Sequence, residues 1–116
     1  MKTYILENKQ PVAEPDIIQW CEWMASENCV VAKDTVTIKD TITIKIAGQN
    51  VGKIEISTVF LGVDYSRTET PILFETMIFG GPLDQQCERC STYGEALIMH
   101  KLMYERVRVA TLQMDF

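Results

Sequence analysis

Pro71-Ile72-Leu73-Phe74-Glu75-Thr76-Met77-Ile78-Phe79-Gly80-Gly81-Pro82 is the stretch on which the fold turns. Ile72, Phe74, Thr76 and Ile78 alternate with Leu73, Glu75, Met77 and Phe79, the period of two that a β-strand imposes. Both sets are mostly apolar, so both faces of this strand are expected to be covered. Glu75 is the exception, a carboxylate among large side chains. Pro71 lacks an N–H and marks the strand's start. Gly80-Gly81-Pro82 ends it, and a charged loop carrying Cys87 and Cys90 is expected to follow.

Upstream, Ile54, Ile56, Thr58 and Phe60 face one way, and Lys53, Glu55 and Ser57 the other. Ile42, Ile44 and Ile46 alternate with Thr43 and Lys45, Val36 and Ile38 with Thr and Lys, and Cys29-Val30-Val31-Ala32 is a short apolar run. Gly48-Gln49-Asn50-Val51-Gly52 supplies turn residues. Together these segments predict an antiparallel meander.

A helix is predicted on each side. Before the strands, Pro15 fits a first helical turn and Asp16 places a carboxylate near the positive helix end. Ile17, Trp20, Cys21 and Met24 then recur at helical spacing, with Trp23 beside them, and Ser26-Glu27-Asn28 reads as the stop. After the strands, Thr92-Tyr93-Gly94-Glu95 has the form of a capping box. The helix it opens is expected to reach about Val109, with Ala96, His100, Met103 and Val107 on one stripe. Met99, Leu102 and Arg106 lie alongside. The predicted fold class is α+β: an N-terminal helix, an antiparallel β-meander and a C-terminal helix packed on the sheet, in one domain over residues 1–116.

The composition suits one globular core. The chain has 116 residues, 47% hydrophobic and 23% charged, enough apolar content to offset chain entropy. Apolar runs are too short to span a bilayer. The N-terminus lacks the pattern of a signal peptide, so the expected compartment is cytoplasm. The net charge of −5 and the scattered lysines and arginines argue against duplex nucleic acid as a partner. Of the four cysteines, only Cys87 and Cys90 form a tight C-x-x-C pair. Structural zinc needs a second pair or matching histidines, and a thioredoxin-like motif should open a helix after a strand. Reduced thiols without metal are the expectation.

The residues offer few routes to catalysis. His100, the only histidine, sits on an apolar stripe, where it reads as a packed, hydrogen-bonded core residue. As a base it would need a neighbouring nucleophile. Cys87, Cys90, Ser91 and Thr92 lie about two turns away along the same helix, too far at about 1.5 Å per residue. Glu75 reads as the partner of Lys53, Arg67 or a last-helix arginine, with a shifted general base as the other reading. No G-x-S-x-G, P-loop, dinucleotide glycine fingerprint or H-E-x-x-H occurs. A binding role is open instead. Trp20, Trp23, Phe74 and Phe79 could stack a purine, and late arginines could grip phosphate, although aromatics also serve cores.

Three phrases carry a resemblance: Ile56-Ser57-Thr58-Val59-Phe60-Leu61-Gly62-Val63-Asp64, Leu73-Phe74-Glu75-Thr76-Met77-Ile78-Phe79-Gly80-Gly81, and Arg89-Cys90-Ser91-Thr92-Tyr93-Gly94-Glu95-Ala96 with His100. Over about Ile17 to Val109 the chain resembles a family of small phage and prophage proteins, and its pattern is similar to the Thoeris anti-defence protein 1 family. Members of that family sequester cyclic ADP-ribose signals without cleaving them, as homo-oligomers with pockets between protomers. The resemblance implies a pocket built from Phe79, Trp20 and Arg106. Phe74, Arg89, Ser91 and Thr92, which lie in the quoted phrases, complete the candidate contacts.

The sequence therefore predicts a non-enzymatic counter-defence sponge for a cyclic nucleotide, without cofactor, acting in the host cytoplasm as a dimer or higher oligomer. The two apolar faces of the Leu73–Phe79 strand support the oligomer. The alternative is a protein-interaction inhibitor of the anti-CRISPR kind. A small enzyme using Glu75 or His100 is the third reading.

Overall fold

In the computed structural model, residues 2–37 and 52–112 are described. The chain begins with a feature absent from the sequence reading. Strands β1 (Tyr4–Glu7) and β2 (Gln10–Ala13) form a hairpin. Asn8 and Lys9 both take positive φ, 49° and 67°, the backbone of a tight two-residue hairpin turn. The hairpin is tied to the chain beyond the main sheet by Tyr4 N–H donating to the Gly62 carbonyl at 2.9 Å and Asp64 N–H to that of Lys2 at 3.0 Å.

Helix α1 (Ile17–Ser26) follows. Asp16 is its N-cap, accepting from the N–H groups of Ile18 and Gln19 at 3.0 and 3.3 Å. Pro15 therefore precedes the cap instead of occupying the first turn. The packing stripe is also narrower than the spacing suggested. Ile17 is 57% exposed and Cys21 is exposed, whereas Trp20, Trp23 and Met24 are half-buried. Trp23 meets Phe60 edge-on, with 5.8 Å between ring centroids.

The main sheet has the order β3 (Val30–Thr37), β4 (Lys53–Phe60), β5 (Phe74–Phe79), β6 (Cys87–Cys90), with every pairing antiparallel. The predicted meander is thus present, with three adjustments. β3 is one strand with a register shift between Val30 and Ala32. β5 begins at Phe74, three residues after Pro71. The cysteine pair lies on a fourth strand, not in a loop. Pairing with β5 supplies the ladder bonds that so short and charged a segment does not signal on its own. The strand expected over Ile42–Ile46 and the turn at 48–51 lie outside the described residues.

Helix α2 (Tyr93–Leu112) crosses one face of this sheet. The capping box forms as predicted: Glu95 N–H donates to Thr92 Oγ1 at 3.1 Å, and Thr92 N–H to Glu95 Oε1 at 3.1 Å. Ala96, His100, Met103 and Val107 are its buried residues, the predicted stripe. The helix runs one turn further than expected.

The core lies between α2 and the even-numbered residues of β4 and β5. Ile54, Ile56, Ile78, Met103 and Val107 form one cluster, and Phe60, Leu73, Phe74 and Ala96 another. Thr58, Thr76 and His100 occupy the level between them, all buried. Truncating Met103 to alanine would cost about 2–5 kcal/mol at such a site. The opposite face of the sheet carries Lys33, Glu55, Ser57, Glu75, Met77, Phe79 and Arg89 and stays partly or fully exposed. Only one face of β5 is covered by α2.

Candidate functional site

The strand that bears the cysteines also shapes a concavity. A groove of about 450 Å³ runs between β6 and α2, lined by Glu88, Cys90, Met99, Met103, Ile98, Leu102 and Arg106, with Glu95 and Arg89 at its rim. Its size falls in the range of small-molecule sites. The least exposed of its lining residues are the sulfur-bearing Met103, Met99 and Cys90, whereas Ile98, Leu102 and the charged side chains are exposed. β-Strand alternation explains the lining: Glu88 and Cys90 are paired with the inward-facing Thr76 and Phe74, so they point toward α2. Cys87 and Arg89 take the other face.

That alternation separates the C-x-x-C pair. Cys87 is exposed on the open face, whereas Cys90 is half-buried on the helix side. Burial and the nearby Glu95 carboxylate push the Cys90 thiol up to about 11. Burial, with Glu27 next, also raises Cys29. Among the described residues no cluster of three or more metal-ligating side chains occurs.

The two arginines bordering the groove are in different states, and only Arg106 turns its side chain toward it. Arg89 Nε donates to Glu75 Oε2 at 2.8 Å, and its guanidinium lies 5.8 Å from the centroid of the Tyr65 ring. The Glu75 bond, first, raises the arginine's pKa further. Glu75 therefore is ion-paired, but to Arg89 of β6 and not to Lys53, Arg67 or a last-helix arginine as expected, because strand pairing sets residues 75 and 89 opposite each other. Arg106 is held only loosely, at 3.5 Å from Gln86 Oε1 and 3.6 Å from Glu88 Oε1. Exposed contacts of that length hold a side chain weakly, so its donors are available to an anion.

The other candidate residues are dispersed. Phe74 is fully buried, packed against Phe60 and Tyr93. Thr92 is the cap of α2, and Ser91 is half-buried beside it. Trp20 donates its indole N–H to the carbonyls of Tyr4 and Gly62 at 3.1 and 3.0 Å, tying α1 to the hairpin and the main sheet. The contact explains Gly62, whose φ is 74°: an added Cβ would lie 2.7 Å from Met24 Sδ. Phe79, 45% exposed, stands on the open face at the far end of β5 from Trp20. Within one chain, then, Arg106 lines the groove, Arg89 borders it only along the strand while its guanidinium pairs with Glu75 on the other face, and neither predicted stacking ring joins them. Met99, Met103 and Ile98 line it instead; the helical spacing placed Met99 and Met103 near Arg106, but nothing in the sequence marked β6 as the facing wall.

A second constellation is polar and sealed. Thr76 Oγ1 and Thr58 Oγ1 share a hydrogen bond. Thr58 Oγ1 is 2.7 Å from His100 Nδ1, and His100 Nε2 is 2.7 Å from Asp34 Oδ2. Hydroxyl, imidazole and carboxylate follow one another as in a nucleophile–base–acid chain. Thr58 and Thr76 have no exposed surface, however, and His100 has 6%. No substrate reaches the hydroxyls in this arrangement, and the chain serves the core, as expected of His100.

No family model, curated protein or solved structure matches this chain.

Proposed function

We propose that the protein is a non-enzymatic binding protein that captures a cyclic ADP-ribose-type nucleotide in the groove between β6 and α2. The observation that carries this reading is the groove itself, concave and of small-molecule size, with an apolar floor and a loosely held arginine at its edge. The purine lies on the methionine and aliphatic floor. Arg106 exchanges two long contacts for charge-assisted bonds to phosphate. Glu88, released from Arg106, accepts from a ribose hydroxyl. Sequestration asks for tight ground-state binding and no transition-state machinery, in keeping with the burial of the His100 chain. The resemblance to the Thoeris anti-defence protein 1 family supports the same ligand class and adds a phage source.

The test is calorimetric titration with cyclic ADP-ribose isomers, followed by heat release and analysis of the nucleotide. Binding with recovery of intact ligand is expected. Arg106→Ala should weaken it about 10-fold or more. Phe79→Ala, on the other face of the sheet, should leave it unchanged. Absence of binding by the parent, or turnover of the nucleotide, refutes the reading.

A further inference from the structure

Glu95 lines the groove at the end where α2 begins, and its own helix holds it in place. One carboxylate oxygen, Oε1, accepts from the N–H and the hydroxyl of Thr92 at 3.1 and 2.9 Å. The other, Oε2, has no hydrogen-bond partner among the described residues. The charge reaches the groove wall: after burial, it is what pushes the Cys90 thiol up. Arg106 follows Glu95 by three helical turns. The two residues therefore stand in one row on the same face of α2, roughly 16 Å apart at 1.5 Å per residue. Met99 and Leu102 lie between them. The groove is thus polarised, with a fixed acceptor at one end, anion-binding donors at the other and apolar side chains in the middle.

We infer that Glu95 selects the base, so that the groove takes a 6-aminopurine nucleotide with its amino edge at Glu95 and its phosphate at Arg106. The inference rests on the nucleotide-capture reading and adds base identity and orientation to it. Adenine carries an N–H donor at its 6-position, where guanine and hypoxanthine carry a carbonyl oxygen. A free carboxylate oxygen accepts from the first and repels the second. With Oε1 committed to Thr92, Glu95 cannot clasp the paired N–H groups of guanine with both oxygens. The ribose then falls beside Glu88, between the two ends. The opposite orientation is disfavoured. Phosphate would meet the Glu95 carboxylate, which already occupies the helix end that would otherwise draw an anion. Arg89, the other arginine beside the groove, is turned to Glu75 on the far face.

Calorimetric titration of the full chain with two ligands tests the inference: cyclic ADP-ribose and its 6-oxo counterpart, with hypoxanthine in place of adenine. The parent should bind the amino ligand about 10-fold or more tighter, as a site built to accept from that group rejects an analogue lacking it. Glu95→Gln should keep the cap, since glutamine also serves the capping box. Its carbonyl oxygen takes the Thr92 bonds and its NH2 faces the groove. The preference should then vanish or reverse, with a melting temperature close to the parent's. Arg106→Ala should weaken both ligands and leave their ratio unchanged. A parent that binds the two ligands equally, or a Glu95→Gln variant that keeps the parent's ratio, overturns this inference alone. A parent that binds neither overturns the capture reading and this inference with it.

Discussion

The hydroxyl of Thr58, on the second strand of the main sheet, lies 2.7 Å from Nδ1 of His100 on the helix above it. This contact joins sheet and helix midway between two apolar clusters and has no exposed surface on the threonine side. It is satisfied end to end when His100 donates through Nε2 to Asp34, Thr58 donates to Nδ1, and Thr76 donates to Thr58. Such a layer fixes the helix in one register along the sheet, because sliding by a turn would strand every member of the chain.

Thr58→Val should accordingly destabilise the fold. It leaves the imidazole nitrogen and the Thr76 hydroxyl without their partner in a dry site, at a cost of about 1–3 kcal/mol. Urea denaturation followed by dichroism measures it. A change below about 0.5 kcal/mol, the scale of surface substitutions, would show that the chain does not hold the helix.

Thr92 caps α2 through its bonds with Glu95. Thr92→Ala should lower stability by about 1 kcal/mol through loss of the bond to Glu95 N–H. Nucleotide affinity should not change. An affinity loss at constant stability would return Thr92 to the binding site.

The four thiols should separate by reactivity. Cys21 and Cys87 are exposed and should alkylate first with iodoacetamide at pH 8. With its thiol pushed to about 11, Cys90 is thiolate in only about one molecule in a thousand at that pH, and thiolate is the nucleophile. Mass mapping of the labelled peptides reads the order. No Cys87–Cys90 bridge should form under mild oxidation, since adjacent-face geometry is absent on a strand.

Asp64 links stability to pH. Its carboxylate accepts from the N–H groups of Ser66 and Ile72 at 2.8 and 3.0 Å. Hydrogen bonding from Ser66, with those backbone bonds, holds its pKa below the ordinary 3.8. A lowered carboxyl pKa contributes stability above the unfolded value and loses it as pH falls through the folded one. The wild-type chain should therefore lose stability on acidification below about pH 4, and Asp64→Asn should lose less over the same range. Parallel thermal melts between pH 2 and 6 compare them; identical slopes would exclude Asp64 as a contributor.

Alternation in Lys53–Phe60 and Ile72–Phe79, together with the capping box at Thr92, was enough to specify the strands, the final helix and its buried stripe. These patterns are local: a strand with one covered face must alternate, and a helix must repeat its apolar residues every three or four positions. The N-terminal hairpin was not legible, because its turn uses Asn8-Lys9 instead of a glycine. β6 was also hidden, since an edge strand as polar as Cys87–Cys90 is defined by its ladder with β5. The candidate site depended on that ladder. Arg106 was identifiable from helix spacing, but its companions Glu88 and Cys90 reach the groove only because antiparallel pairing brings residues 74 and 90 together. Trp20 and Phe79, plausible as a stacking pair by residue type, end at opposite ends of the sheet. Residue chemistry and spacing are properties of the chain itself; which side chains share a cavity is decided by strand register and helix docking, and these emerge only when distant segments bury their apolar faces against one another.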